Sequence, residues 1–198
     1  MNVPAAKAPS ARDRILWTAV RLFYREGIRA VGVDRVIAEA GVAKATLYTH
    51  FPAKDDLAAA YLEHVDLLWT ASLTEAAEAA GPDPRARLVG MFDAAVAAAE
   101  RDGFAGCGFL NAAAEMQPGD AAYEVALRHK AAVRDWVTGL AAAAGATAPD
   151  DLAVALTVLL DGALADGALQ GSARPARVAK KAAAVLVAAA LTTEGEQW

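Results

Sequence analysis

A single cysteine, Cys107, in a chain of 198 residues excludes an intramolecular disulfide and a zinc site built from thiolates. Histidine is almost as scarce. His50, His64 and His129 lie far apart in sequence and away from ligand spacing, so a metal enzyme has no support and no cofactor is expected. Aromatic residues make up only 7% of the chain and β-branched residues are few, which disfavours a sheet protein. Alanine, with the best intrinsic helix propensity, is abundant instead, so the expected fold class is all-α. No apolar run reaches the roughly 18 unbroken residues of a membrane span; the run 182–191 is shorter, and Asp161 interrupts the apolar segment before it. Residues 1–14 mix Pro4, Lys7, Pro9 and Arg12 with small residues and lack the apolar centre of a secretion signal. The expectation is a cytoplasmic chain with no membrane partner, long enough for one ordinary domain or two small ones sharing a core.

The net charge of −5 conceals an asymmetry. Residues 1–54 carry nine Lys/Arg against four Asp/Glu, a local balance of +5, whereas residues 55–198 carry ten basic and twenty acidic residues, a balance of −10. Attraction to phosphates follows the local patch, so a basic head on an acidic body directs the head alone toward a polyanion. Charge by itself fits a solvated helix face equally well.

Apolar spacing and breakers divide the chain into about nine helices. Ile15, Leu16, Ala19, Val20 and Phe23 line one face of a first helix, capped by Ser10 and stopped at Gly27. A short second helix, Val33 to Ala40, buries Val36, Ile37 and Ala40 and breaks at Gly41. A third, Lys44 to Thr49, buries Leu47 and ends before Pro52. A fourth carries Leu57, Tyr61, Val65 and Leu68 from Lys54 to Ala79. Further helices are expected over Arg85–Arg101, Leu110–Met116, Asp120–Ala144, Asp150–Gln170 and Arg174–Thr193, separated by breaks rich in Gly and Pro.

Residues 34–50 carry the most specific signal. Two short helices joined by a tight turn at Gly41 fit a helix-turn-helix, in which glycine supplies a positive φ and the second helix enters the major groove. With Leu47 packed inward, Lys44, Ala45, Thr46, Tyr48 and His50 remain on or near its exposed side. The run from Gly27 to Leu57, above all Ala40-Gly41-Val42, Thr46-Leu47-Tyr48, His50-Phe51 and Lys54 with Leu57, resembles the DNA-binding domain of the TetR family of bacterial transcriptional regulators. The resemblance covers about a quarter of the chain in letters. Downstream, the order of helices is similar to the family's regulatory domain in pattern rather than in letters.

The resemblance implies a flexible arm over 1–9, a helix-turn-helix domain over 10–53 and an effector-binding and dimerisation domain over 54–198. It assigns Lys44, Ala45 and Thr46 to base edges, with Lys44 donating to guanine and the two methyl groups touching thymine. Tyr48 and His50 correspond to phosphate-contacting positions, and Lys54 adds charge beside them. Two departures from the family pattern stand out: Gly32 and Ala43 occupy positions where many members carry Ser or Thr, so no hydroxyl caps the second and third helices.

One recognition helix reads too few base pairs for a useful site, so a homodimer on a two-fold symmetric DNA operator is expected. The resemblance places the dimer surface on the last two helices, with Leu152, Leu156, Leu159, Leu160 and Leu164 on one and Val178, Val185, Leu186 and Ala189 on the other; intramolecular core competes for the same residues. It also places a small-molecule effector between head and dimer helices. Trp69, Phe92, Phe109, Asn111 and Glu115, with Met116, Tyr123, His129 and Trp136, have the mixture of rings and a few polar groups that a ligand pocket needs, although aromatic residues at helical spacing also build cores. The glycines around Cys107 suit a bend over a cavity that turns Asn111 or Glu115 inward. Cys107 itself has no basic neighbour in sequence, which favours a small buried hydrophobe over a redox sensor.

The expected function is a homodimeric, sequence-specific repressor released from its operator by an effector. An activator, an effector-independent DNA-binding or protein-interaction module, and a helical enzyme are the alternatives. The last has no nucleophile–base pair, metal cluster or phosphate-cradling loop behind it. Neither the effector, the operator nor the sign of regulation is legible in the residues.

Overall fold

The computed structural model describes residues 9–191. The arm expected over 1–9 therefore lies outside the described residues except for Pro9, as do Thr192 and Thr193 at the expected end of the last helix. Among the described residues the fold is all-α: α1 (Ala11–Glu26), α2 (Val33–Ala40), α3 (Lys44–His50), α4 (Lys54–Ala79), α5 (Pro84–Gly90), α6 (Phe92–Ala99), α7 (Gly108–Glu115), α8 (Ala121–Ala144), α9 (Pro149–Gln170) and α10 (Arg174–Ala190).

The ends of α1 show how local chemistry sets these bounds. The Ser10 hydroxyl accepts from the Asp13 N–H at 3.1 Å and the Asp13 carboxylate accepts from the Ser10 N–H at 3.2 Å, a reciprocal capping box. The Ser10 hydroxyl also donates to the Asp13 carboxylate at 2.7 Å, and that bond, together with the one from the Ser10 N–H, holds the Asp13 carboxyl below its ordinary range. Neither Gly32 nor Ala43 caps its helix through a side chain, as the two departures imply. Gly41 ends α2 at φ 62°, the left-handed turn expected between the two short helices.

One expectation needs correction. The single helix drawn over Arg85–Arg101 is two, α5 and α6, divided at Met91. Met91 keeps helical angles, and its N–H reaches the Arg87 carbonyl, but the Ala94 N–H bonds back to Met91 itself in the tighter i to i+3 pattern. A local change of ladder of this kind leaves no mark on apolar spacing.

Helix α4 joins head to body. It packs against α1 on one side and α8 on the other, while α9 packs against both α8 and α10. Tyr61 of α4 meets Phe23 of α1 edge to face, with ring centres 5.9 Å apart. The buried apolar residues of head and body form one continuous cluster, from Ile15 through Leu47 and Leu57 to Leu156 and Val187.

Candidate DNA-binding surface and cavity

Helices α1 to α3 hold a compact core of Ile15, Leu22, Phe23, Val36 and Leu47, and α3 stands on it through Leu47, which is 1% exposed. Anchoring by Leu47 turns Lys44, Ala45, Tyr48, Thr49 and His50 to solvent and leaves Thr46 half-buried. Not all of the head's positive charge is free for a partner. Arg35 is bound to Glu26 at 2.5 Å and to Glu39 at 2.8 Å, and Glu39 also binds Arg21 at 2.6 Å, tying α1 to α2. Hydrogen bonds from these guanidinium groups hold Glu26 and Glu39 below their ordinary range. Lys44 lies 3.4 Å from Asp34 in an exposed pair, and Arg12 lies over the Phe51 ring at 5.2 Å.

The joint between head and body is closed by backbone atoms accepting or donating to side chains from the other side. Glu115, at the end of α7, accepts from the Arg29 N–H at 2.6 Å, and Lys54 donates to the Arg29 carbonyl at 3.4 Å. Partial burial lowers the Lys54 pKa, opposed by the nearby Glu115 carboxylate. A Cβ on Gly27 would lie 2.7 Å from a Glu115 carboxylate oxygen, and its φ of 90° disfavours any other residue there. Asp55, in the first turn of α4, accepts from the Ala121 N–H at 2.7 Å and so caps α8 from another helix. The Tyr24 hydroxyl of α1 accepts from the Ala105 N–H at 3.1 Å and donates to the Gly106 carbonyl at 3.0 Å.

That last pair of bonds lies on the wall of a cavity of about 300 Å³. Val20 and Tyr24 from α1, Val65, Leu68, Trp69 and Ser72 from α4, and Ala98 from α6 form much of the wall; the loop 101–107, Gly108 and Phe109 of α7, and Leu164 of α9 complete it. Of the nine residues expected to face an effector, Trp69 and Phe109 line this cavity and the other seven do not. Phe92 is fully buried in the core. Asn111 is exposed and donates to the Ala105 carbonyl at 2.8 Å, bracing the loop from outside, and Glu115 is occupied at the head. Met116, Tyr123 and Trp136 are half-buried elsewhere. His129 stands one layer back, its ring stacked 3.6 Å from Phe109 at 8° and its Nδ1 2.6 Å from Asp66. Helical spacing identifies buried faces, and most of those faces pack against other helices instead of empty space.

Sequence reasoning missed Val20, Tyr24, Arg101, Asp102, Phe104 and Leu164. Tyr24 follows Val20 at i+4 on one face of α1, which is the one local signal available, but its hydrogen-bond partners lie 81 and 82 residues away. Cys107 is buried on the cavity wall.

The outer helices need a similar correction. Leu152, Leu156, Leu160 and Leu164 belong to the intramolecular core. What α9 and α10 present outward is Val154, Val158, Leu169, Val178, Val185 and Leu186, with Val158 64% and Val185 68% exposed; Leu159 is half-buried and Ala189 exposed. A shallow groove between the two helices runs past Val158, Leu159, Pro175 and Val178. By length and composition α9 is apolar enough to cross a membrane, the one such helix among the described residues. Asp150, Asp151, Asp161 and Asp166 all lie on it, and its inward leucines pack on α8 and α10.

A family model for bacterial regulatory proteins of the tetR family matches residues 15–61, which span α1 through the first turns of α4. The transcriptional regulator LmrA of Bacillus subtilis is 43% identical over 49 residues, 24% of this chain and 26% of that protein, so the match spans about a quarter of the curated relative's length. Similarity extends much further among solved structures. SCO4454, a TetR-family transcriptional regulator from Streptomyces coelicolor, is 38% identical over 91% of this chain and 94% of its own, with a TM-score of 0.79. The Streptomyces avermitilis protein sav143 is 31% identical over 92% of this chain and 98% of its own, with a TM-score of 0.83. Helix-turn-helix geometry, the matched DNA-binding segment and similarity across nearly the whole chain agree: this protein belongs to the TetR family of DNA-binding transcriptional regulators.

Proposed function

We propose that the protein is a homodimeric repressor that leaves a palindromic operator when a small molecule fills the cavity between α1, α4, α7 and α9. The observation that carries this reading is the shared wall. Val20 and Tyr24 belong to a helix of the DNA-binding head, while Phe109 and Leu164 belong to the body, so an occupant touches both at once. A ligand shifts an equilibrium only by its differential affinity for the two states, and a site whose walls move relative to one another supplies that difference.

In this reading Lys44, Ala45 and Thr46 face base edges, and Tyr48, His50 and Lys54 contact phosphates. Lys44 leaves its exposed partner Asp34 to do so, at little cost for a solvent-screened pair. The outward apolar residues of α9 and α10, including Val158, Val178, Val185 and Leu186, meet the same surface of a second copy, which hides their side chains from water and sets the spacing of two recognition helices. The head over 10–53 and body over 54–198 act as the two moving parts, and a cytoplasmic location follows from the DNA target.

Selection of bound DNA from a random pool, repeated in the presence of candidate metabolites, tests specificity, symmetry and ligand response together. A two-fold symmetric consensus whose recovery falls with one compound supports the reading. A strictly monomeric protein, or binding with steep salt dependence and no preferred sequence, would sink it.

A further inference from the structure

We propose that the cavity takes an uncharged, ring-bearing, largely apolar molecule, an inference that rests on reading this cavity as the effector site. Its ring-rich, apolar inner lining and the occupied hydroxyls of its wall lead to that class. The wall presents the rings of Tyr24, Trp69, Phe104 and Phe109 beside Val65 and Leu164. Phe109 is held flat by the His129 ring stacked behind it, and His129 by its bond to Asp66, so the wall is a fixed planar face instead of a deformable one.

The two side-chain hydroxyls on the wall are already occupied. The Tyr24 hydroxyl both donates and accepts within the loop at Ala105 and Gly106, and the Ser72 hydroxyl donates to the Leu68 carbonyl at 2.9 Å. Among the described residues no buried side-chain nitrogen or oxygen lacks a hydrogen-bond partner. A charged ligand group carried past the exposed Arg101 and Asp102 would lose its water without a free buried polar group to replace it. The charged residues that touch the cavity, Arg101 and Asp102, are adjacent, opposite in sign and exposed. Behind Phe109, burial pushes the His129 pKa below its ordinary value against the pull of the Asp66 carboxylate, and its Nδ1 is already engaged by Asp66. A volume of about 300 Å³ stands at the lower end of small-molecule sites, suited to two or three fused or linked rings.

The test uses the full chain and two dyes of one skeleton: N-phenyl-1-naphthylamine, which is neutral, and 8-anilinonaphthalene-1-sulfonate, which carries an added sulfonate. Binding is read from dye emission on titration. Expected is saturable uptake of the neutral dye, one per chain, about tenfold or more tighter than the sulfonate. Displacement by 1-naphthalenemethanol but not by 1-naphthylmethylammonium extends the result to cations. Ala98→Phe and Ser72→Leu place side-chain atoms in the cavity and are expected to abolish uptake, each judged only where circular dichroism shows the native helix content. Equal or tighter binding of either charged compound, no uptake of the neutral dye, or uptake that survives both folded variants overturns the proposal. Neutral dye in the cavity with unchanged operator affinity leaves this ligand class standing and removes effector release. Operator release by a charged compound, with no neutral uptake, does the reverse.

Discussion

The DNA-facing candidates of α3 come from seven consecutive residues, Lys44 to His50, held in place by one buried leucine. The cavity, in contrast, draws its wall from Val20 in α1 to Leu164 in α9, and most of its residues are also part of the surrounding packing. A surface displayed on a small core can change its exposed letters without changing its shape. A void exists only because every neighbour is the right size, so its chemistry and its stability are inseparable. The chain thus keeps its DNA-facing candidates local and its cavity wall distributed, with Tyr24 and Glu115 as contacts between head and body.

Removing the two anchors is the harshest test of that contrast. Phe109→Ala, fully inside the body, is expected to cost about 3–5 kcal/mol and Leu47→Ala, under α3, about 2–5 kcal/mol in chemical denaturation. Operator binding should be lost in the Leu47 variant even at temperatures where circular dichroism still reports a folded body. Equal loss of body and head signals in both variants would show a single cooperative unit instead of a separable head.

Tyr24→Phe probes the seam. It keeps the ring and removes the hydroxyl, leaving the Ala105 N–H and Gly106 carbonyl without their partner, at an expected cost of about 1–3 kcal/mol in thermal or denaturant unfolding. Its operator affinity without ligand should change less than its response to a bound compound, measured by fluorescence anisotropy on labelled operator.

On the DNA surface the contrast is within α3. Lys44→Ala is expected to weaken operator binding by about 1–3 kcal/mol and to alter base preference, whereas Tyr48→Phe should lower affinity by less, and by similar factors on operator and random DNA. Equal factors on both DNAs for Lys44→Ala would remove its base-reading role. The smallest effect expected concerns pH. Burial pushes the His129 pKa below its ordinary 6.5, so the unfolded chain takes up that proton first as the medium is acidified. The contribution is fully present above about pH 6.5 and is lost as pH falls from there toward the folded-state value. Denaturation midpoints at a series of pH values should show this slope, and His129→Phe, which keeps a ring against Phe109, should reduce it.

Legibility in the sequence followed the range of the forces involved. The bounds of α1, α2 and α4 come from Ser10, Gly27, Gly41 and the Gly81–Pro82 break, all acting within a turn of the helices they delimit, and the structure places them where those residues indicate. The inward turn of Leu47 likewise follows from spacing alone. The division at Met91 escaped notice because it changes which carbonyl an N–H bonds without changing any side chain's polarity. Leu152 and Val158 share one apolar helix, yet one is core and the other exposed, and spacing cannot say which face meets α8. Asp55 reads as an ordinary first-turn carboxylate of its own helix, and only the arrangement of α4 against α8 reveals the cap it provides elsewhere.

By itself the order of residues determined an all-α chain, a helix-turn-helix at Val33–His50 and most of the side chains that α3 turns to solvent, though not the half-burial of Thr46, because capping, glycine turns and apolar periodicity act over a few residues. Tertiary structure alone decided that a helix of the head would wall the cavity, that Glu115 would hold the head instead of a ligand, and which leucines of α9 would be hidden. Those outcomes depend on pairs of residues tens of positions apart, and nothing in either local segment encodes its partner until the helices pack.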